Sequence, residues 1–551
     1  MYTRTIAELL IARLGDDHPG LTTREQTWSW DQVVRECADR GSVAQEILGS
    51  HTPHIGILLD NVPEYIFWLG GAALTGATIV GINSTHRGQE LARSITSTDC
   101  QVLVTDSAGL RLLDGLDFGI APDRVVLIDD IDYASRVSAH SHEPEIVNCV
   151  EPATQLLLLL TSGTTGAPKA ARCSQGRLAS LGEMNSAKYS ITRDDISYCP
   201  MPLFHGNALM SLFAPTLVAG GTIALPPQFS ASSFIPDVRY FGATFFTYVG
   251  KAIAYILAIP RQADDMDNRL THGYGTEASP EDRDIFLERF GCTLIEGYGS
   301  SEGAGSITLD PQAPAGALGR PAHPGIVVVD PETLLECPPA RLDEHGRVVN
   351  AEEAIGEMIN KVGAAQFEGY YKNPEADADR VRNGMYWTGD LGYLDEAGFL
   401  YFAGRSGDWI RVDGENVSAL LTERILTRHP DIQTAAVFSV PDPRSGDQVM
   451  AALELRPTVN FEDLGIPAFL EKQPDLGPKS VPRFIRTSYA LPSTASNKLR
   501  KKEMQRIGWR TDDEVHRWVG RSGPTYSPML AEHKAELREE FIRAGRARFL
   551  P

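Results

Sequence analysis

Residues 156–169 read Leu156-Leu-Leu-Leu-Leu-Thr-Ser-Gly-Thr-Thr-Gly-Ala-Pro-Lys169. The apolar run Leu156 to Leu160 predicts a buried strand. Small, hydroxyl-bearing and glycine residues follow at once, and Lys169 closes the segment. Glycines let backbone N–H groups turn toward an anion, hydroxyls add donors, and the lysine adds charge. That combination suits a polyphosphate. The spacing differs from the common nucleotide-binding loop, which places Gly-Lys-Ser/Thr together, because Ala167 and Pro168 separate Gly166 from Lys169.

Further stretches stand in order along the chain: Gly297-Tyr-Gly-Ser-Ser-Glu302, Tyr386-Trp-Thr-Gly-Asp390, Gly404-Arg405 and Asn497-Lys498. With Thr161 to Lys169 they resemble the ordered motifs of the adenylate-forming superfamily: acyl-CoA synthetases, luciferases and peptide-synthetase adenylation domains. The resemblance runs from about residue 30 to 510, with Ser301 in place of a threonine and Asn497 in place of a glycine. Gln366-Phe-Glu-Gly-Tyr-Tyr-Lys-Asn-Pro374, the run from Gly404 to Ser418, and Tyr248-Val-Gly250 at the start of a helical-looking run resemble one branch more closely. That branch is the very-long-chain acyl-CoA synthetases and fatty-acid-transport proteins.

Composition agrees with a large globular protein. A chain of 551 residues with 42% apolar and 22% charged content can bury a sizeable core. A formal charge of −21 argues against nonspecific binding to nucleic acid or an anionic membrane surface. The cysteines at 37, 100, 149, 173, 199, 292 and 337 are scattered, with no Cys-x-x-Cys pair. They fit a reducing cytosol rather than a zinc site or a disulfide framework. Tyr65 to Ile82 carries no charge, and reads as a buried helix running into a buried strand rather than an integral membrane segment.

Apolar runs at Ile55–Leu59, Gln101–Thr105, Arg124–Ile128 and Thr222–Leu225 alternate with amphipathic stretches. Alternation of this kind predicts an α/β fold. The expected architecture is a large multi-layer N-terminal domain with parallel-type sheets and a small β subdomain, followed by a smaller, mobile α+β domain. The expected limits are 1–404 for the adenylation domain, 405–510 for the mobile domain and 511–551 for a tail. The tail's mixed-charge run Ala531 to Arg548 reads as a solvated docking helix.

The resemblance implies ATP, Mg²⁺ and CoA, and a reaction without a protein nucleophile. A substrate carboxylate attacks the α-phosphate, pyrophosphate leaves, and catalysis comes from positioning and charge neutralisation. Thr161, Ser162, Gly163, Thr164, Thr165, Gly166 and Lys169 are then the phosphate segment, with Thr161 and Glu302 as Mg²⁺ ligands. Gly275, Thr276, Glu277, Gly297, Tyr298, Gly299, Ser300 and Ser301 fall on the adenine-binding segments. Asp390 and Arg405 fall on the ribose and phosphate positions; a fixed carboxylate can accept from both ribose hydroxyls. Gly414 and Glu415 match the CoA-ligase version of their motif. His205, Leu209, Tyr248, Gly250 and Gly299 fall at the acyl site, with Leu209 where several long-chain relatives carry an aromatic gate. Lys498 is the catalytic lysine, able to bridge the attacking carboxylate and α-phosphate oxygens. Gly407 follows Arg405 where Asp or Lys is usual, and supplies torsional freedom for a swinging domain.

The expected acid is large and apolar, because Phe245 to Leu257 is aromatic-rich with no acidic residue to hold an amino group. Fatty, steroid-like and terpenoid acids stay open, as does a homodimer. Two other readings compete. One is an acyl-adenylate ligase that loads a carrier protein. The other is an esterase, since Gly299-Ser-Ser-Glu-Gly303 also fits a nucleophile elbow with Ser301 as nucleophile. The esterase leaves residues 161–169 and 498 without a role.

Overall fold

The computed structural model of the chain describes residues 2–550 apart from 49–52, 142, 148, 162–168, 304, 306, 309–312, 315, 322–323, 345–347, 406–408, 413–414, 444–446, 474–475, 478, 495–498, 520–524, 545 and 548–549. Side chains of 48, 251, 308, 405, 409, 411, 415 and 416 are likewise outside the description. The chain packs as two compact units, residues 1–306 with 365–379 and residues 307–364 with 380–551.

In the first unit, the Leu156–Leu160 run forms the strand Gln155–Thr161. It pairs in parallel with Thr78–Gly81 and antiparallel with Lys169–Ser174. Both flanks are therefore hydrogen-bonded, and Leu156 to Leu159 are buried with Leu160 partly so, as an uninterrupted leucine run requires. The remaining strands of this six-stranded sheet, His54–Leu58, Val102–Thr105 and Val125–Leu127, are all parallel. Tyr65 to Ile82 becomes the helix Pro63–Thr75 followed by the strand Thr78–Gly81. Every helix residue from Tyr65 on is buried. Among the described residues no helix is long and apolar enough to cross a membrane.

The unit's second sheet carries the parallel strands Ile196–Tyr198, Phe245–Val249, His272–Thr276 and Thr293–Tyr298. One expectation is corrected here. Tyr248 belongs to the strand Phe245–Val249, and the helix begins only at Gly250. Both segments are apolar, so the join leaves no mark in hydropathy. It is marked by packing instead: a Cβ on Gly250 would overlap the Glu277 carbonyl, so only glycine lets the two loops meet.

The second unit holds an antiparallel sheet with Gly356–Asn360, Met385–Leu394 and Leu400–Arg405 as successive neighbours. It also holds a five-stranded mixed sheet: Ile432–Pro441, Asp447–Leu455, Phe484–Ser488, Glu514–Trp518 and Tyr526–Pro528. The sequence limit at 510 falls just before the strand Glu514–Trp518, which pairs with Phe484–Ser488. The run from Ala531 forms the helix Ala531–Arg543. Its Phe541 is buried against Ala436, Phe438, Met450, Met504 and Trp509, so the docking is apolar while the outer face stays charged.

Candidate active site

Parallel strands deliver their carboxyl ends to one edge of a sheet, where ligands bind in α/β folds. In the first unit Tyr248 pairs with Gly275, and Gly275 with Glu296. The expected adenine segments thus emerge side by side. Gly275 and Gly297 pack against the rings of Tyr248 and Tyr274, where a Cβ would collide. Glu277 is exposed and holds a positive φ of 73°, uncommon for a residue with a side chain. Tyr248 is buried, and its hydroxyl donates to the Glu296 carboxylate at 2.7 Å and approaches the Ile295 carbonyl at 3.2 Å. The Ala278 N–H also donates to Glu296. Burial pushes the Glu296 carboxyl up to about 7 against these two donors.

The turn after Tyr298 is closed by the Gly303 N–H donating to the Ser300 carbonyl. Gly303 has φ 74°, and a Cβ there would strike the Arg177 guanidinium. Arg177, buried on the helix Gln175–Lys188, donates to the Ser301 carbonyl at 2.6 Å and to the Arg172 carbonyl at 2.9 Å. The turn is thereby fastened to the strand Lys169–Ser174, which follows the expected phosphate segment.

Glu302 is 6% exposed. The Tyr370 hydroxyl donates to its carboxylate at 2.6 Å. Tyr370 also bridges to Ala171 through the backbone, and the Lys169 ammonium lies 5.4 Å from its ring centre. Lys169 is the direct cross-strand partner of Thr161, whose hydroxyl donates to the Lys169 carbonyl at 3.3 Å. Thr161, Lys169, Tyr370 and Glu302 are therefore one contiguous group. A nearly buried carboxylate without a basic partner among the described residues suits a divalent cation that also takes phosphate oxygens. Ser162, Gly163, Thr164, Thr165 and Gly166 lie outside the described residues.

His205 precedes the short helix Gly206–Ala208 and contacts Phe204. A Cβ on Gly206 would lie 3.4 Å from the Ser301 hydroxyl and 3.6 Å from Leu159, which puts this loop beside both the Glu302 turn and the phosphate strand. Leu209 is buried and opens a π-helical turn, Leu209–Phe213; such turns are frequent at functional sites. Gly299 and Ser300 are exposed. The Ser301 carbonyl accepts from the Arg177 guanidinium.

In the second unit Asp390 and Arg405 are direct cross-strand partners. The Thr388 hydroxyl donates to the Met358 carbonyl at 2.7 Å and accepts from the Asp390 N–H at 3.1 Å, while the Gly389 N–H donates to Glu357 at 2.8 Å. This network fixes the Thr-Gly-Asp backbone. Glu415 lies in the strand Glu415–Ser418, while Gly414, Gly407 and Lys498 lie outside the described residues. The helix Lys501–Ile507 that follows Lys498 is tied by Lys501 to Glu423 at 2.6 Å.

Tyr370, Arg177 and Glu296 do not stand out as functional residues in the sequence. Tyr370 had a signal, the Gln366 to Pro374 stretch; Glu296 directly precedes a motif; Arg177 had none.

Comparison with known proteins gives the same frame. A family model described as AMP-binding enzyme matches residues 11–371, and one described as AMP-binding enzyme C-terminal domain matches 421–498. A steroid-22-oyl-CoA synthetase of Rhodococcus jostii is 60% identical over 547 residues, 99% of each chain. A medium/long-chain-fatty-acid–CoA ligase of Mycobacterium marinum is 40% identical, covering 93% of this chain and 98% of its own. Among solved structures, an anthranilate CoA ligase in complex with anthranoyl-AMP superposes with TM-score 0.78 at 21% identity, covering 92% of this chain and 97% of that one. ATP-bound MatB from Rhodopseudomonas palustris gives 0.77 at 22% identity, covering 91% and 98%. The chain belongs to the AMP-binding enzyme family, in its acyl-CoA synthetase branch, and is an ATP-dependent, AMP-forming ligase that joins a hydrophobic acid to CoA.

Proposed function

We propose that the acid is a steroid bearing its carboxylate on the side chain, at carbon 22. The observation that carries this is the 60% identity to the Rhodococcus jostii steroid-22-oyl-CoA synthetase across 99% of both chains. Supporting it, Leu209 keeps an aliphatic side chain at the expected gate, and the strand Phe245–Val249 is apolar and aromatic. Each buried methylene contributes about 0.8 kcal/mol, so a polycyclic skeleton gains strongly from such walls.

Residue roles follow the sequence reading. Lys169 and the Ser162–Gly166 segment hold the leaving phosphates. Glu302 and Thr161 hold Mg²⁺, which would neutralise phosphate charge when bound. Tyr370 orients the Glu302 carboxylate. Gly275 to Glu277 and Tyr298 border adenine; Asp390 and Arg405 border ribose. His205, Leu209, Gly250 and Gly299 border the acyl group, with Tyr248 acting from beneath through Glu296. Lys498 serves adenylation, and Gly414 with Glu415 serve CoA. The 405–510 segment moves between the two half-reactions about Gly407, in a reducing compartment where the free thiols persist.

The test is pyrophosphate release over a panel of steroid, fatty and short acids, with and without CoA. Steroid side-chain acids should give the highest kcat/KM, and thioester should form with free CoA. Preference for a linear acid over every steroid acid overturns the substrate. Acyl-adenylate that transfers only to a carrier protein overturns the acceptor.

A further inference from the structure

The second unit holds a group of side chains that adenylation does not use. His516 lies on the strand Glu514–Trp518, whose neighbours are Phe484–Ser488 and Tyr526–Pro528. Its imidazole is 1% exposed and stacks on Phe461, ring centres 3.7 Å apart. Neither ring nitrogen has a hydrogen-bond partner among the described residues. A buried polar ring left this way is costly, at about 1–3 kcal/mol for each unmet group.

His516 Nε2 nevertheless points at two carboxylates. Glu514 Oε1 is 3.5 Å away and Glu462 Oε1 is 3.8 Å away. Glu514 stands two residues from His516, on the same face of the strand. Glu462 follows Phe461 in the one-turn helix Phe461–Leu464. All three donor atoms lie within 4.8 Å of one another. Charge-assisted N–H···O bonds are shorter, about 2.7–2.9 Å. Ligands placed about 2.0–2.2 Å from a tetrahedral ion stand about 3.3–3.6 Å apart. The 3.5 Å spacing matches such a ligand-to-ligand edge and the 3.8 Å spacing is slightly longer, and both exceed a charge-assisted hydrogen bond. Two carboxylates facing one imidazole also leave negative charge that a cation would neutralise.

We propose that Glu462, Glu514 and His516 form a binding site for a zinc-class divalent cation, separate from the nucleotide's Mg²⁺. One imidazole and two carboxylates suit zinc better than magnesium, which prefers oxygen ligands and retains its waters. The glutamates are 69% and 52% exposed on their side chains, so the ion enters from solvent and keeps a water ligand. Its effect is structural: it clips the Phe461–Leu464 turn to the sheet that carries the strand Glu514–Trp518.

The experiment uses the untagged full chain, stripped with a chelator and free of nucleotide. Zn²⁺ is titrated by calorimetry, with Mg²⁺ as the comparison, and melting temperature is followed in parallel. One saturable Zn²⁺ per chain and a raised melting temperature are expected, with no such response to equal Mg²⁺. Glu462→Gln and Glu514→Gln, both exposed and expected to fold, should each weaken zinc by about 10- to 100-fold while leaving pyrophosphate release unchanged. No saturable zinc binding by the parent, or unchanged affinity in both variants, overturns the site.

Discussion

The Tyr370 hydroxyl donates to the Glu302 carboxylate at 2.6 Å across 68 residues of sequence. One contact therefore joins the Tyr-Gly-Ser-Ser-Glu turn to the Gln366 to Pro374 stretch, and the ring of the same tyrosine faces Lys169.

Tyr370→Phe removes that donor without changing the ring. A hydrogen bond to a charged group is worth about 1.5–3 kcal/mol, so acid-dependent pyrophosphate release should fall roughly 10- to 100-fold and require more Mg²⁺. Glu302→Gln should be more severe. A Mg²⁺ titration of Tyr370→Phe that superimposes on the parent's would show that Tyr370 does not set the carboxylate.

Lys498→Ala should reduce acyl-adenylate formation by about two to three orders of magnitude, the scale on which one charge-stabilising group acts. Conversion of supplied acyl-adenylate to thioester should survive, as the proposed movement of the 405–510 segment between the two half-reactions requires. Equal losses in the two half-reactions would contradict the assignment.

Glu296 governs a pH effect of definite sign. Its carboxyl is raised from 4.5 to about 7 by burial, so the folded chain holds this proton where the unfolded chain has released it. Through this group, stability falls as pH rises from about 4.5 to 7 and is flat above that. Glu296→Gln, neutral at every pH, should flatten the fall in melting temperature across that window. A variant whose melting temperature follows the parent's pH curve would place the titration elsewhere.

Leu209→Trp should penalise steroid acids at least about tenfold more than hexanoate in kcat/KM, since overpacking a filled cavity is costly and a slender chain avoids it. Uniform loss across both acids would mean that Leu209 supports the π-helical turn and does not border the acid.

Much of this was legible in local sequence. The strand Gln155–Thr161 shows itself because five leucines in a row demand burial on both faces. The helix Ala419–Leu426 and the strands Ile432–Pro441 and Asp447–Leu455 likewise follow their hydropathy closely. What escaped is set by distance or by weak contrast. Tyr370 meets Glu302 only through folding, with no periodicity linking them. Tyr248 was hidden because strand and helix on either side of Gly250 are equally apolar. Glu514-Val-His-Arg-Trp518 is a strand that reads as polar, because only Val515 among its residues joins the apolar cluster while two flanking strands pair with its backbone.

Phe541 has a consequence for how the chain is made. Its buried ring completes the cluster that contains Met504, in the helix just after Lys498, and Trp509. A chain that stops short of Phe541 leaves the apolar support of the helix Lys501–Ile507 open to water and to other chains. A premature stop between Trp518 and Phe541 would therefore yield a polypeptide with every recognisable motif present but a second unit prone to aggregate.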